Sequence, residues 1–230
     1  MNSLRMMALM RFPAFPFFFA LLLLCSAGKP NAQSINSDTA ADQLIRRIET
    51  RYGRMRGLAA EFEQTYSAPG VRERRERGRL VLQRPRRMRW EYDPKPGKLF
   101  IVNGRDVWLY IPADREATHA DVNNVSDSRF PFLFLLGQTN LRREFSSITI
   151  TGDGSQAGTK LLHLIPRNRS AGLREIFLEV FTDGRIARVR MVDESGAVSE
   201  VALTDVRENF IAPVDAFEFH PPPGVTVRRQ

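Results

Sequence analysis

Histidine and cysteine most often supply the bases, nucleophiles and soft metal ligands of protein sites, and this sequence has few of them. The histidines are His119, His163 and His220, and Cys25 is the single cysteine. No histidine stands in metal-ligand spacing with another histidine, a cysteine or a carboxylate. There is no nucleophile elbow, P-loop or GxGxxG motif, and a triad needs a nucleophile, a base and an orienting acid. We therefore expect no enzyme activity, no metal and no cofactor.

A second set of candidate residues is the arginine-rich stretch at 72–89, which is followed by Trp90 and Tyr92. Phosphate contacts and aromatic platforms are what proteins use to hold nucleic acid. Glu73 and Glu76 interleave with the arginines, however, and the chain begins with an export signal. We expect a solvated strand face that discourages edge-to-edge pairing, and no nucleic acid partner.

The export signal is the apolar run at 12–24, which follows two arginines and precedes small and polar residues. This three-part layout is typical of a secretory signal peptide. The run is too short for a spanning helix of about 20 residues. We predict a signal peptide at 1–32, cleaved after Ala27 or Ala32.

Cys25 directly follows the apolar run, where bacterial lipoproteins carry their acylated cysteine. Leu24 is bulky where that processing requires a small residue, so acylation is the less favoured interpretation. If the leader is removed beyond Cys25, no disulfide can form and stability must come from the core. Loss of the leader's three basic residues lowers the formal charge from +8 to +5. The remaining chain suits one domain, which we place at 38–228.

The rest of the chain begins with a helix and continues as strands. Residues 38–52 predict the helix, with Ser37 or Asp38 as its N-cap and an apolar stripe on one side. From Leu58 the hydrophobic period changes to two, and turn signals separate about eleven short strands. The predicted strands are 58–66, 71–83, 86–92, 99–102, 107–111, 145–151, 160–166, 173–181, 185–192, 198–207 and a short one in the tail before the proline-rich end. The pattern indicates a mainly β fold, a curved antiparallel sheet that forms a barrel or half-barrel.

Residues 78–92 form two alternating strands joined at Arg84 and Pro85. Pro85 cannot donate to a sheet ladder, so it belongs at the join. One face of the pair is apolar: Leu80, Leu82, Met88 and Trp90. We expect a large apolar group against this face, with an arginine at its rim.

The segment 123–137 interrupts the strands with an apolar run that Asp127 or Ser128 can cap and Gly137 can end. A surface helix has a polar back, and this one is apolar all round. It therefore lies in a core or covers an apolar cavity. A packed sandwich core is the simpler alternative from composition.

The sequence resembles a known protein family. The stretch RGRLVLQRPRRMRWEYDPKPGKLFIVNGRDVWLYIP, residues 77–112, is similar to the signature of the periplasmic outer-membrane lipoprotein carrier (LolA) family: a glycine-led strand, an ArgPro corner, a Trp strand and a DGxxxWxY-like hairpin. The ProPheLeu segment at 131–133 and the FxFxPPxGV-like ending at 217–225 also match. The resemblance covers nearly all of 38–225.

The resemblance implies an unclosed antiparallel β-barrel of about 11 strands with a helical lid over an apolar cavity. It implies a periplasmic carrier that receives the acyl chains of lipoproteins from an inner-membrane ABC transporter and hands them to an outer-membrane acceptor. We expect a monomer. The cavity residues expected are Phe62, Leu80, Leu82, Met88, Trp90, Leu99, Ile101 and Trp108; the lid residues expected are Leu44, Ile45, Ile48, Phe130, Phe132, Leu133 and Leu136.

Arg84 matches the family arginine that hydrogen-bonds to the backbone of the lid in the closed state. A guanidinium has five donors and stays charged, so it can hold several carbonyl oxygens at once. From the residues alone, Arg84 is a surface arginine at a strand end.

Three alternatives stay open. The first is an outer-membrane acceptor lipoprotein of the same fold, which requires acylation of Cys25. The second is a periplasmic domain that senses lipoproteins and regulates a partner; its relatives carry a second domain. The third and weakest is an esterase or other hydrolase.

Overall fold

A helix followed by a long meander of strands makes up the chain in the computed structural model, which describes residues 32–122, 140–168 and 172–230. The helices are α1 (Ala32–Arg54) and the one-turn α2 (Leu141–Glu144). The strands are β1 (Gly57–Ala68), β2 (Val71–Gln83), β3 (Arg87–Tyr92), β4 (Leu99–Asn103), β5 (Asp106–Ile111), β6 (Glu116–Asp121), β7 (Phe145–Asp153), β8 (Thr159–Pro166), β9 (Leu173–Phe181), β10 (Ile186–Asp193), β11 (Val198–Glu208) and β12 (Thr226–Arg229). Two 3-10 helices, Pro112–Asp114 and Val214–Phe217, lie in connections.

The strands form one sheet in the order β12-β6-β5-β4-β3-β2-β1-β11-β10-β9-β8-β7. All pairings are antiparallel except that of β12 with β6. Since β12 and β7 stand at the two ends of this order, the sheet of the described residues is open. The predicted mainly β fold with an unclosed antiparallel sheet is confirmed, with twelve strands where about eleven were expected.

The first helix is longer than the sequence pattern predicts. It begins at Ala32, so Ser37 and Asp38 lie inside it and the predicted N-cap is wrong. The apolar stripe is correct in position, and α1 ends just before β1 begins at Gly57. In the described part of the chain, no helix is both long enough and apolar enough to cross a membrane.

One side of the sheet, here called the inner face, carries the apolar rows. Residues that pair directly across antiparallel strands point to the same side. One row runs Leu58, Leu82, Met88, Val102 and Val107, and the next runs Ala60, Leu80, Trp90, Phe100 and Leu109. A further row continues through β11, β10, β9 and β8 as Val201, Val189, Leu178 and Leu162. These side chains and the apolar stripe of α1 belong to one core cluster, so α1 packs on the inner face.

The opposite side of β3, β4 and β5, the outer face, is covered by the C-terminal segment. Phe217 is buried there, and the Phe219 ring lies 5.3 Å from the rings of both Trp108 and Tyr110. Arg89 Nη1 donates to the carbonyl oxygen of Ala216 at 3.0 Å. These three strands are therefore covered on both sides.

The end of the chain differs from the prediction. The tail strand expected before the prolines is wrong, because that stretch forms the 3-10 helix Val214–Phe217. The strand that does form, β12, follows the prolines and lies parallel to β6, a strand that the hydrophobic pattern did not reveal. Both strands are short, and neither β6 nor β12 has the alternating apolar signal of a half-buried strand.

Gly78 lies on the inner face between two aromatic residues of the neighbouring strands. It pairs with Phe62 on one side and Tyr92 on the other, and those two rings meet at 5.0 Å. A Cβ at Gly78 would stand 1.9 Å from the carbonyl oxygen of Glu91, which is backbone and cannot turn away. Only glycine lets β2 and β3 approach this closely.

We expect Gly78→Ala to lower the free energy of unfolding by about 1–3 kcal/mol, the usual cost of overpacking. Urea unfolding followed by circular dichroism measures this. The matched control is Gly152→Ala in β7, where a Cβ meets nothing within 4 Å. Equal stability of the two variants would contradict the close approach at Gly78.

Candidate functional site

The predicted cavity residues of β1, β2 and β3 lie together on the inner face. Phe62, Leu80, Leu82, Met88 and Trp90 all have at most 5% of their surface exposed. Phe62 meets the Trp90 ring edge-on at 4.6 Å. Edge-to-face pairs hold aromatic rings in a fixed geometry. The structure thus brings these five together as one apolar wall, as their alternation indicates.

The three predicted cavity residues of β4 and β5 lie elsewhere. Ile101 pairs with Arg89 and Trp108, and Leu99 pairs with Glu91 and Tyr110, so all three predicted residues are on the outer face. Their assignment to the cavity wall is wrong. The run 99–102 is apolar throughout, and such a run does not show which residues point inward when both sides are covered. The inner-face residues that were missed are Phe100, Val102, Val107 and Leu109. Pairing β4 with Trp90 and Met88 of β3 across the loop at 93–98, and then β5 with β4 through the hairpin at 103–104, would have found them.

The α1 residues predicted to form part of a lid are buried in the same apolar cluster as this wall. Leu44, Ile45 and Ile48 have exposures of 5%, 1% and 0%. The other predicted lid residues, Phe130, Phe132, Leu133 and Leu136, lie outside the described residues. In the described part, α1 is the helix that covers the inner face.

Arg84 joins the end of β2 to the end of α1. Its Nη2 donates to the carbonyl oxygen of Tyr52 at 2.9 Å, and its backbone N–H donates to the carbonyl oxygen of Arg56 at 3.0 Å. Tyr52 lies in the last turn of α1, where carbonyls have no partner within the helix. A guanidinium at this end also meets the negative end of the helix dipole. The observed contact is therefore from Arg84 to the backbone of the covering helix.

Tyr52 ties the C-terminal end of α1 to β10. Its hydroxyl accepts a hydrogen bond from the backbone N–H of Ile186 at 3.0 Å. Burial raises the pKa of this phenol to about 12, although the Ile186 N–H and the charge of Arg51 oppose the rise. Burial disfavours the phenolate, so the neutral hydroxyl is the form that the folded protein retains.

Polar contacts fix the rest of α1 at its edges. Arg51 Nε donates to Glu208 at 2.6 Å, and its Nη1 lies 3.3 Å from Asp183. The carboxylate of Glu49 accepts the backbone N–H of Leu141 at 2.8 Å, which ties α1 to α2. These hydrogen bonds and ion pairs surround the apolar contact between α1 and the sheet. Apolar burial therefore holds the middle of α1, and hydrogen bonds and ion pairs hold its rim.

A recess of about 610 Å³ opens at the end of the inner face away from Arg84. Phe100 and Leu109 supply its apolar part, and polar side chains surround it. Tyr92 Oη donates to Gln64 at 2.9 Å, and Lys98 Nζ lies 3.9 Å from the Tyr92 ring centre. This volume lies within the range of about 300–1,000 Å³ that is usual for ligand sites.

Two histidines pair with carboxylates on the outer face. His119 Nε2 lies 2.8 Å from Asp106 and stacks on Trp108, and His163 Nε2 lies 2.8 Å from Glu175. The hydrogen bond from His119 lowers the pKa of Asp106. The described residues contain no group of three or more potential metal ligands. Both pairs lie on the side of the sheet away from the recess, and their contacts are those of structural histidines.

The sequence of this chain is similar to those of known proteins. A sequence model of the family described as outer membrane lipoprotein carrier protein LolA matches residues 54–220. The outer-membrane lipoprotein carrier protein of Methylococcus capsulatus is 27% identical over 216 residues, which cover 94% of this chain and 98% of that protein. The protein of the same name from Pseudomonas aeruginosa is 29% identical over 191 residues, covering 83% and 88%.

A solved structure supports the fold. An uncharacterized conserved protein from Thermus thermophilus aligns with a TM-score of 0.52 at 14% identity and covers 83% of this chain and 99% of its own. At that identity the likeness concerns the fold alone. The fold of this chain therefore has a counterpart among experimentally determined structures.

The environment of Tyr52 predicts a pH effect. The pKa of Tyr52 is raised above its ordinary value of 10.0, so the stability that depends on the neutral phenol is present below about pH 10 and is lost as the pH rises towards 12. Tyr52→Phe leaves the buried Ile186 N–H without its acceptor, which costs about 1–3 kcal/mol. We expect the difference in unfolding free energy between wild type and variant to be largest below pH 10 and to narrow above it. Urea titrations across this range measure the difference; a gap that stays constant would contradict the assignment.

Proposed function

The chain belongs to the LolA family of outer membrane lipoprotein carrier proteins, and we propose that it is a periplasmic chaperone that carries the acyl chains of lipoproteins from the inner membrane to the outer membrane. Proteins of this family are carriers and not enzymes. Under the proposal, an inner-membrane ABC transporter supplies the cargo and an outer-membrane acceptor receives it. The observation that carries the proposal is a continuous apolar inner face whose covering helix is held at its end by Arg84.

Apolar chains match the inner face in chemistry. Its wall is built of Leu, Met, Val, Phe and Trp side chains, and burial of each methylene of an acyl chain contributes about 0.8 kcal/mol. The recess beside Phe100 and Leu109 gives an entry at which apolar and polar lining meet. A molecule with acyl chains and a polar end fits such a boundary.

Delivery limits how tightly the carrier can bind. Full burial of two or three long chains would approach the practical affinity ceiling of roughly 20 kcal/mol. A chaperone bound at that ceiling would not release its cargo. Separation of α1 from the sheet requires loss of the Arg84 to Tyr52 bond, and that cost subtracts from the free energy of binding. Hydrogen bonds of a charged group are worth about 1.5–3 kcal/mol.

We expect Arg84→Leu to increase the affinity for a fluorescent acyl probe by about tenfold or more and to slow transfer of lipoprotein to an acceptor, because the cost of opening falls. Probe titration measures the first effect and a transfer assay with purified cargo the second. Arg72→Leu removes the same charge from the exposed half of β2 and serves as the control. If Arg84→Leu binds the probe and transfers lipoprotein as the wild type does, this contact has no role in release.

The corrected strand register gives a second test. Leu109 lies in the recess on the inner face, whereas Leu99 lies on the outer face, and both are half-buried leucines of neighbouring strands. We expect Leu109→Gln to weaken acyl-probe binding by about tenfold or more, since it places an amide where the chain would lie. Leu99→Gln should bind the probe as the wild type does. The opposite order, with Leu99 the sensitive position, would refute the inner face as the binding surface.

A further inference from the structure

The exposed side of α1 carries four arginines within two and a half turns. Arg46, Arg47 and Arg54 are exposed and Arg51 is half-buried, and together with Gln43 and Thr50 they border a shallow cleft of about 520 Å³. Arg47, Arg51 and Arg54 follow one another at spacings of four and three residues, and Arg46 directly precedes Arg47, so all four lie on one broad side of the helix. That side lies opposite the buried residues Leu44, Ile45 and Ile48. The side of the covering helix that faces away from the sheet is therefore a basic row.

Most of this charge has no carboxylate partner among the described residues. Arg51 engages both Glu208 and Asp183, the acidic groups that border the row. Arg47 donates to the carbonyl oxygen of Thr182, which is neutral. Arg46 and Arg54 form no ion pair with any residue that the structure describes. Three positive charges on one side of α1 thus have no ion-pair partner within residues 32–122, 140–168 and 172–230.

Two further acidic residues of α1, Asp42 and Glu49, do not pair with the row. Asp42 pairs with Arg142, and Glu49 accepts the backbone N–H of Leu141, so both are directed towards α2. The arginines of β2 differ in this respect, because Glu73 pairs with Arg75 and Glu61 with Arg79. Apart from Asp183 and Glu208 at Arg51, no carboxylate of the described residues pairs with the α1 row, whereas the β2 arginines alternate with negative charge.

We propose that this row docks the protein on the surface of an anionic phospholipid bilayer. Arg46 and Arg54 are eight positions apart, or about 12 Å along the helix, which is too long a row for one phosphate ion. Guanidinium groups bind lipid phosphates through paired N–H donors. Each basic residue near a negative bilayer contributes enough attraction to change the affinity about fivefold. The proposal concerns the membrane and goes beyond the proposed cargo, which lies on the other side of α1.

The test uses the purified protein with vesicles of phosphatidylcholine, with and without phosphatidylglycerol. We expect cosedimentation only with the anionic vesicles and a decline as salt rises towards about 0.15 M, where the Debye length is about 8 Å. Arg46→Gln combined with Arg54→Gln should weaken binding about 30-fold. Glutamine has nearly the helix propensity of arginine, so α1 should stay folded.

The control is Arg72→Gln combined with Arg75→Gln, which removes the same charge from exposed positions of β2. Equal loss in both double variants would show that net charge alone is responsible and would overturn the proposal, as would absence of binding to anionic vesicles. Competition by millimolar inorganic phosphate at constant ionic strength would instead assign the row to a small anion. Acyl-probe binding, measured on the same samples, should be unchanged; this readout separates failure of docking from failure of the proposed carrier function.

Discussion

An open sheet has an apolar inner face that no second sheet covers, and this constraint governs the described structure. Twelve strands curve around rows of Leu, Val, Met, Phe and Trp, and water must be excluded from them. α1 supplies the cover with the buried side chains of Leu44, Ile45, Ile48 and Tyr52. α1 is joined to the strands by side-chain packing and by hydrogen bonds in which one partner is a side chain. Its separation would therefore leave the strand-to-strand hydrogen bonds intact. Moving α1 therefore requires the loss of side-chain contacts, whereas deforming the sheet requires the loss of backbone hydrogen bonds.

The contacts around α1 follow the same division. Its centre is apolar apart from the buried Tyr52 hydroxyl, and its margins are polar, with Arg84 at the C-terminal end and Arg51 and Glu49 along the sides. Polar bonds at a margin can exchange with water when they break, whereas a buried polar group without a partner would cost more. The arrangement suits a cover that opens and closes. It also explains why an arginine, which can exchange a carbonyl for water at modest cost, stands at this position.

Much of this architecture follows from the sequence. Alternation in β1, β2 and β3 predicts the wall correctly at Phe62, Leu80 and Trp90, and the Pro85 corner and the 103–104 hairpin predict where strands turn. Alternation fails in β4, where Ile101 and Phe100 are both apolar because both sides are covered. It fails again at β12, whose partner β6 is distant along the chain. The family resemblance implies that Arg84 meets the backbone of a covering helix, but no local pattern tells which carbonyl it meets, and the structure places it at Tyr52.

The cover that the C-terminal segment provides on the outer face has a mechanical consequence. Where β3, β4 and β5 are packed on both sides, bending the strands would break two sets of apolar contacts as well as ladder hydrogen bonds. Phe217 and Phe219 thus stiffen the stretch of sheet that faces the recess. Under the proposed function, an entering acyl chain gains space when α1 moves away from the sheet, and the sheet itself does not widen. The volume open to cargo then depends on how far one helix travels.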